Sequence, residues 1–388
     1  MAPNQQVGVV QSHDKSGQSS LSLAVSHLVP IPGLPSANHV LVQVLAVALN
    51  PTDFKMVTYF PQPGTNLPIG CDFCGVVKDG SETALASFPR GTRVCGGLFP
   101  YGHHDAEGGE ATDGGRLISG AFAEWLCADA KQLLRVPDQM DDLQGAAIGG
   151  ICWGTCVLAL FADPEALALE GRPSKPDEKN RPVVVYGGAT ATGTMACQLL
   201  KLSGYLPIAV TSPASAPLAR AYGAVGVASY TSPTCAETLR SLSPNGAPIR
   251  HVLDCITTQE STAISFAAMG RAGGRYACLE GVKDDWRTRR AIRVKEVMGF
   301  EGFGHEVALA GDKTYSRKAN LELYDRANGW AVEMQAALDQ GLIKCHPVRE
   351  MEGDGQGGWV NAVVRGLEML QRGEVRGQKL VVRVAHRT

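Results

Sequence analysis

The chain carries no excess of positive charge: 36 Lys and Arg stand against 38 Asp and Glu in 388 residues. No basic block and no polybasic amphipathic run breaks that balance, so neither nucleic acid nor a membrane surface is expected as a partner. A long uninterrupted apolar run is also missing. The longest, Gly145 to Phe161, contains glycines, Thr155 and two cysteines, falls short of a bilayer span and reads as buried core. Met1 to Ser20 has no apolar segment of the kind a secretory signal needs, and Ala385-His386-Arg387-Thr388 is no obvious organelle address, so a cytoplasmic protein is expected. Internal repeats are absent.

Eleven cysteines are present but they do not pair by spacing. Cys197, Cys255 and Cys278 sit in apolar runs, as small buried hydrophobes do. Cys71-x-x-Cys74 has no second pair and no His at ligand spacing, so burial is the expectation there rather than metal or redox use. Tyr101 to Ser119 reads as a loop rich in Gly, acid and His, with His103-His104 solvated rather than metal-bound.

What is present starts at Val183-Val184-Val185-Tyr186, a β-branched run that stops at Gly187-Gly188 and continues Ala189-Thr190-Ala191-Thr192-Gly193 into a helix over 195–203. Strand, small-residue turn and helix N-terminus in that order suit a dinucleotide: glycine lets the backbone approach a pyrophosphate, and the unpaired N–H groups of the helix start hold its charge. Gly187 and Gly193 are six apart, and no strict G-x-G-x-x-G occurs. Alternating strands and helices follow. Strands are predicted at 207–211, 225–230, 251–256 and 275–279, with helices at 217–222, 236–241 and 261–269 between them. That rhythm predicts a doubly wound parallel sheet. A last strand is expected at 297–303. Before the turn, strand-like runs at 40–49, 71–77, 93–95 and 121–126 predict a β-rich domain. A helix capped by Asp141 is expected over 141–160, and 164–182 reads as a mobile polar surface loop. After the alternation come helices at 323–340 and 360–372 and a strand at 379–384.

Five short motifs surround the turn in order: Asn50-Pro51-Thr52-Asp53-Phe54-Lys55, Gly70-Cys71-Asp72-Phe73-Cys74-Gly75, Gly91-Thr92-Arg93-Val94, Gly120-Ala121-Phe122-Ala123-Glu124 and Gly377-Gln378-Lys379-Leu380-Val381-Val382. With them the chain resembles the medium-chain dehydrogenase/reductase superfamily over nearly its whole length. The resemblance implies an α/β fold, with a GroES-like β-rich catalytic domain and a doubly wound Rossmann domain. It places the first part of the catalytic domain at 1–157, the NADPH-binding domain at 158–322 and the return to the catalytic domain at 323–388. Tyr186-Gly187-Gly188-Ala189-Thr190-Ala191-Thr192 and Leu202-Ser203-Gly204-Tyr205-Leu206-Pro207-Ile208-Ala209 are similar, more narrowly, to the fungal trans-acting enoyl reductases that serve highly reducing polyketide synthases in secondary metabolism.

Zinc dehydrogenases of the superfamily place G-H-E where this chain has Gly70-Cys71-Asp72. Their earlier ligand cysteine is missing from Asn50 to Lys55, and their four-cysteine loop is missing too. A tetrahedral site needs three or four convergent ligands, so no metal is expected. Hydride addition to an activated alkene is then the favoured chemistry. Charge develops on a thioester oxygen and a proton must reach the α-carbon. The resemblance implies that Lys55 faces the nicotinamide, where its ammonium binds or protonates the enolate; the bland alternative is a surface lysine paired with Asp53. Thr155 matches a threonine that these reductases keep near the nicotinamide, or else it is a hydroxyl bonded to its own helix. Asn50 bonds the cofactor or only fixes the turn; Asp53 orients Lys55 or only caps the next segment.

The second strand of the sheet ends Val210-Thr211-Ser212-Pro213 with no acid to hold an NAD ribose diol. The hydroxyls of Thr211, Ser212 and Ser215, with Arg220 behind them, suit the 2′-phosphate of NADPH, and Tyr230 closes the third strand where relatives contact the adenosine. An exposed helix arginine is the alternative for Arg220, and Ala216-Pro217 replaces a lysine that many relatives carry. The partner implied is the acyl carrier domain of a polyketide synthase or of a synthase–peptide synthetase hybrid, the substrate an acyl thioester. Gly149, Gly150 and Gly154 either leave room for the acyl chain or pack helices tightly. A stand-alone quinone or enone reductase, and a non-catalytic reductase-like partner, remain open. Many relatives dimerise through the last strand of the dinucleotide sheet; Gly299, Glu301, Gly302 and Gly304 make a poor edge there, so a monomer is expected.

Overall fold

The computed structural model describes residues 5–12, 21–35, 37–62, 67–102, 112–113, 116–117, 119–309, 311–353 and 358–386. His103-His104, most of Met1 to Ser20 and the last two residues lie outside this set. The chain divides into two compact units, one of Met1–Ile151, Phe303–Tyr324 and Pro347–Thr388, the other of Cys152–Gly302 and Asp325–His346.

These cuts differ from the boundaries drawn on the sequence at 157/158 and 322/323. Residues 303–322 go with the β-rich unit, where Gln62 Nε2 donates to the Ala308 carbonyl. Residues 325–346 go with the dinucleotide unit. There Trp330 is buried with its ring stacked 4.2 Å from Phe161, and Gln198 takes up the Lys344 N–H and carbonyl at 2.8 and 3.1 Å. Amphipathic helix periodicity does not say which core a helix covers.

In the dinucleotide unit six parallel strands lie in the order Gly226–Ser229, Leu206–Thr211, Pro182–Tyr186, His251–Asp254, Gly274–Cys278, Ile292–Glu296. This is the doubly wound order, with its switch point between the third and fourth of these strands. Val183, Val184 and Val185 are fully buried, as an interior parallel strand covered on both faces requires. Helices Ala191–Leu202, Ala216–Ala221, Cys235–Leu242 and Gln259–Ala268 alternate with the strands. The edge strand is a correction: it runs over Ile292–Glu296, and Gly299–Phe303 is a 3-10 turn. Glycines at 299 and 302 remove the side chains a strand packs with, whereas Ile292 and Val294 alternate with Arg293 and Lys295 as a charged edge does.

In the β-rich unit the sheet runs Val348–Glu350, Lys379–Arg383, His39–Ala48, Asp72–Gly80, Arg93–Gly97, Leu134–Arg135, with Trp125–Asp129 also on His39–Ala48. Its core gathers Val42, Val44, Phe73, Val94, Phe122, Leu126 and Val382. The helix Pro51–Tyr59, hidden in the sequence behind Asn50-Pro51, starts at a proline whose missing N–H costs nothing there.

The predicted 141–160 helix is capped by Asp141, whose carboxylate accepts from the Gln144 N–H at 2.7 Å while the Gln144 side chain returns to the Asp141 N–H. It breaks at Gly149, which has φ +48°, and ends in a π turn over Leu158–Ala162. Asp142–Ala162 is long and apolar enough to cross a membrane by composition, but most of it is buried inside the fold. The 164–182 segment, read as a mobile loop, is tied down. The Tyr205 hydroxyl accepts from the N–H groups of Glu170 and Gly171 at 3.0 and 3.1 Å, and Glu333 holds the Ser174 N–H at 3.0 Å.

Candidate active site

In the dinucleotide unit the strand Pro182–Tyr186 delivers its chain to a turn that only glycine can make. Gly187 has φ +77°, and its N–H and that of Gly188 both reach the Val210 carbonyl, at 3.0 and 3.1 Å. A Cβ on Gly193 would lie 2.1 Å from the Gly187 carbonyl oxygen and 2.8 Å from Gly188 Cα. The helix start therefore sits directly on the strand end, the close approach a pyrophosphate cradle needs. Thr190 caps the helix, its hydroxyl accepting from the Gly193 N–H at 3.0 Å. The first-turn N–H groups of Ala191 and Thr192 have no acceptor within the helix and are available to an anion. Ala189, Thr190, Ala191 and Thr192 are all partly exposed. The residues fit a dinucleotide, and the sequence placed this turn correctly, although the helix starts four residues earlier than its apolar run suggests.

Across the switch point, the buried Asp254 fixes the next loop. Its Oδ1 accepts from the N–H groups of Ile256 and Thr257 at 2.8 and 2.9 Å, and its Oδ2 accepts from the Tyr276 hydroxyl at 2.6 Å. Thr257 is held at φ +57°, a conformation threonine rarely adopts.

Among the 2′-phosphate candidates, Ser212 and Ser215 are brought together, with their hydroxyls 3.1 Å apart. Thr211 is buried and donates to the Ser212 carbonyl at 2.8 Å, so its donor is spent. Arg220 is exposed on the last turn of the Ala216–Ala221 helix, which has proline in its first turn. Tyr230 is partly exposed, its ring 6.5 Å from that of Tyr186 at the end of the first strand. Thr155 is half-buried; its hydroxyl makes no hydrogen bond among the described residues, so the reading of a hydroxyl bonded to its own helix is not the one seen. A Cβ on Gly299 would lie 2.9 Å from Thr155 Oγ1, whereas one on Gly154 would meet nothing within 4 Å.

In the β-rich unit Lys55 is half-buried on the Pro51–Tyr59 helix. Asp53 is fully buried, and its Oδ2 accepts from the Asn50 N–H at 2.7 Å. Its Oδ1 has no nitrogen or hydroxyl donor, with the Cys71 thiol as its neighbour. Asp53 therefore caps the helix. Burial pushes its carboxyl up to about 7; nearby Asp72 adds to the rise, while the Cys71 thiol, the Asn50 N–H and Lys379 oppose it. The side chain of Asn50 is spent inside the protein: Nδ2 donates to Asp72 Oδ2 at 2.8 Å and Oδ1 accepts from Lys379 Nζ. Asp72 Oδ1 accepts from the N–H groups of Gly150 and Ile151, each at 2.8 Å. In the sequence Asp72 and Lys379 stand only as letters of two motifs; the signal that marks them is an acid and a lysine each opening a largely apolar strand.

Gly149 and Gly150 are packing glycines. Their Cβ atoms would meet Asp72 Cγ at 2.4 Å and the Gly97 N at 2.2 Å. Cys71 and Cys74 are buried free thiols, pushed well above their ordinary range by burial. Among the described residues no three His, Cys, Asp or Glu side chains are grouped to hold a metal.

The Asp53 carboxyl makes stability depend on pH. Its folded value lies above its unfolded one, so between about pH 4 and pH 7 the native state keeps a proton that the unfolded chain has released. Stability falls as pH rises through that window, by at most about 1.4 kcal/mol per unit. Asp53→Asn keeps an acceptor for the Asn50 N–H and removes the titration. Its denaturant midpoint is expected to change less between pH 5 and pH 8 than that of the wild type; equal slopes would count against the assignment.

A parallel sheet in doubly wound order with a glycine-only turn, and a second unit built on a mainly antiparallel sheet, define a medium-chain dehydrogenase/reductase. Residues 36–138 match the alcohol dehydrogenase GroES-like domain. The chain is 51% identical to the trans-enoyl reductase sthE of Phaeosphaeria nodorum, over 99% of this chain and 98% of that one. It is 49% identical to the trans-enoyl reductase calK of Penicillium decumbens, over 98% of each. The chain belongs to this family of trans-enoyl reductases. A mycobacterial protein solved as a complex with NADPH shares the fold with a TM-score of 0.66 and 18% identity, over 98% of this chain and 100% of the other. As a member of that family the protein is an oxidoreductase.

Proposed function

We propose that this protein reduces the α,β-double bond of a polyketide thioester carried on the acyl carrier domain of a synthase, in the cytoplasm, with NADPH as reductant. What supports this reading most is likeness to trans-enoyl reductases over 98–99% of the chain. Gly187 to Gly193 hold the pyrophosphate, and Ser212, Ser215 and Arg220 hold the 2′-phosphate. NADPH supplies a hydride to the β-carbon of the thioester. As that bond forms, the alkene electrons move onto the thioester oxygen, and Lys55 stabilises the resulting enolate or gives the α-carbon its proton. Thr155 offers its unspent hydroxyl at the nicotinamide end. The charged edge strand Ile292–Glu296, with Lys295 bonded to Glu165 at 3.0 Å, supports a monomer, which light scattering checks.

The test is NADPH consumption by the purified protein with an α,β-unsaturated acyl thioester on a pantetheine handle. One saturated thioester per NADPH is expected. Quinone reduction without thioester reduction would overturn the substrate class, and failure to bind NADPH would overturn catalysis altogether. Cofactor choice has its own test. Arg220→Ala is expected to raise KM for NADPH about tenfold, the scale of one charge-assisted bond, and to leave KM for NADH unchanged. An equal effect on both cofactors would remove Arg220 from the phosphate site.

A further inference from the structure

Asp72 is the meeting point of four donors from three distant parts of the chain. Gly150 and Ile151 give it their N–H groups, Asn50 its side-chain amide, and Lys379 its ammonium at 3.1 Å. The same ammonium also donates to Asn50 Oδ1. All three side chains are buried. Asn50 stands immediately before the Pro51–Tyr59 helix that carries Lys55; Ile151 opens the Ile151–Val157 helix that carries Thr155. We propose that Lys379 and Asp72 form a positioning pair for the reduction, holding the starts of these two helices around one carboxylate. The proposal rests on the enoyl reductase reading above.

The chemistry of the cluster asks for these residue types. A carboxylate accepts on both oxygens at once. An amide at position 72 would set an N–H donor against either the Asn50 amide or the backbone N–H groups. An apolar residue would leave all of them unpaired. Lys379 donates to both the Asp72 carboxylate and Asn50 Oδ1, and so fixes which way the Asn50 amide faces. A buried ion pair adds little to stability over apolar residues of the same volume, so a role in placement accounts for it better. The lever is short. Lys55 is five residues past Asn50, about 7.5 Å of helix, and a shift of about 1 Å at a catalytic group can cost 10²-fold in rate.

The test compares Lys379→Met, Lys379→Arg and wild type by thioester turnover, NADPH affinity and hydrogen–deuterium exchange. In Lys379→Met, kcat per NADPH-binding molecule is expected to fall at least tenfold, with NADPH affinity within twofold of wild type. Amides of residues 52–59 and 150–157 should gain exchange together while those of 191–202 do not. Lys379→Arg, which keeps the charge, should recover most of kcat. A merely structural lysine predicts a lower melting temperature, unchanged kcat per binding molecule and no paired gain in exchange; that result would overturn the proposal. Should Lys379→Met fail to fold, Asp72→Asn combined with Lys379→Met removes both charges, and wild-type kcat in that variant would overturn it equally. If the wild type reduces no thioester, the function reading fails, and the paired exchange response alone decides whether the clamp exists.

Discussion

Lys55→Ala is expected to lower kcat for an α,β-unsaturated acyl thioester by about 10²–10³ while NADPH binds as before. Hydride arrival at the β-carbon puts a full negative charge on the thioester oxygen and α-carbon, and a cation or proton donor must meet it. Lys55 is the one cation of the Asn50–Tyr59 segment, half-buried on a helix whose start is fixed by Asp53 and by the Asn50–Asp72 bond. Losing one preorganised donor to a developing oxyanion costs about 10²–10³, and losing a positioned general acid costs about 10²–10⁴. NADPH affinity should not follow, because the Gly187–Gly193 turn is built entirely within the other unit. Lys55→Arg separates the two roles. It keeps the charge but hardly releases a proton, so it should restore activity if the lysine acts as an electrostatic partner and stay low if it delivers the proton. A Lys55→Ala enzyme within threefold of wild type would return Lys55 to the role of a surface lysine.

The dinucleotide unit was legible because its signals are local. A short β-branched run such as Val183–Tyr186 that stops at two glycines reads as a buried parallel strand followed by a turn. Each later strand was found within a few residues until the last. Ile292–Glu296 escaped because three of its five residues are charged, and the apolar residues around Gly299 drew the expectation downstream. The Pro51–Tyr59 helix was missed for a related reason: Asn50-Pro51 reads as a turn, and it is a turn, but one that opens a helix. Asp72 and Lys379 are conspicuous in apolar strands, but that they meet is not legible. The members of the Asp72 cluster are 22, 78 and 307 residues apart, and nothing local about Lys379 says that it will find Asp72. The three glycines 149, 150 and 154 look alike in the sequence. Only the folded chain separates two that backbone and carboxylate press against from one that faces open space.

That separation supplies the second large effect. Gly193→Ala is expected to abolish NADPH binding, with at least a 10²-fold loss of affinity, whereas Gly154→Ala is expected to fold and bind NADPH normally. At position 193 the new Cβ would stand 2.1 Å from a carbonyl oxygen and 2.8 Å from Gly188 Cα, both main-chain atoms of the turn itself. No rotamer change relieves that. The helix start must move away from the strand end, and the first-turn N–H groups of Ala191 and Thr192 move with it. Overpacking of this kind costs about 1–3 kcal/mol in stability, which a buried parallel sheet tolerates, so the loss should appear in binding before it appears in folding. At position 154 nothing lies within 4 Å of the new methyl group, and alanine in a helix is favoured over glycine by about 0.5–1 kcal/mol. NADPH fluorescence titration of the two variants side by side checks the pair. Normal binding by Gly193→Ala would mean that the pyrophosphate is not held by this helix start, and the assignment of Gly187 to Gly193 would fall with it.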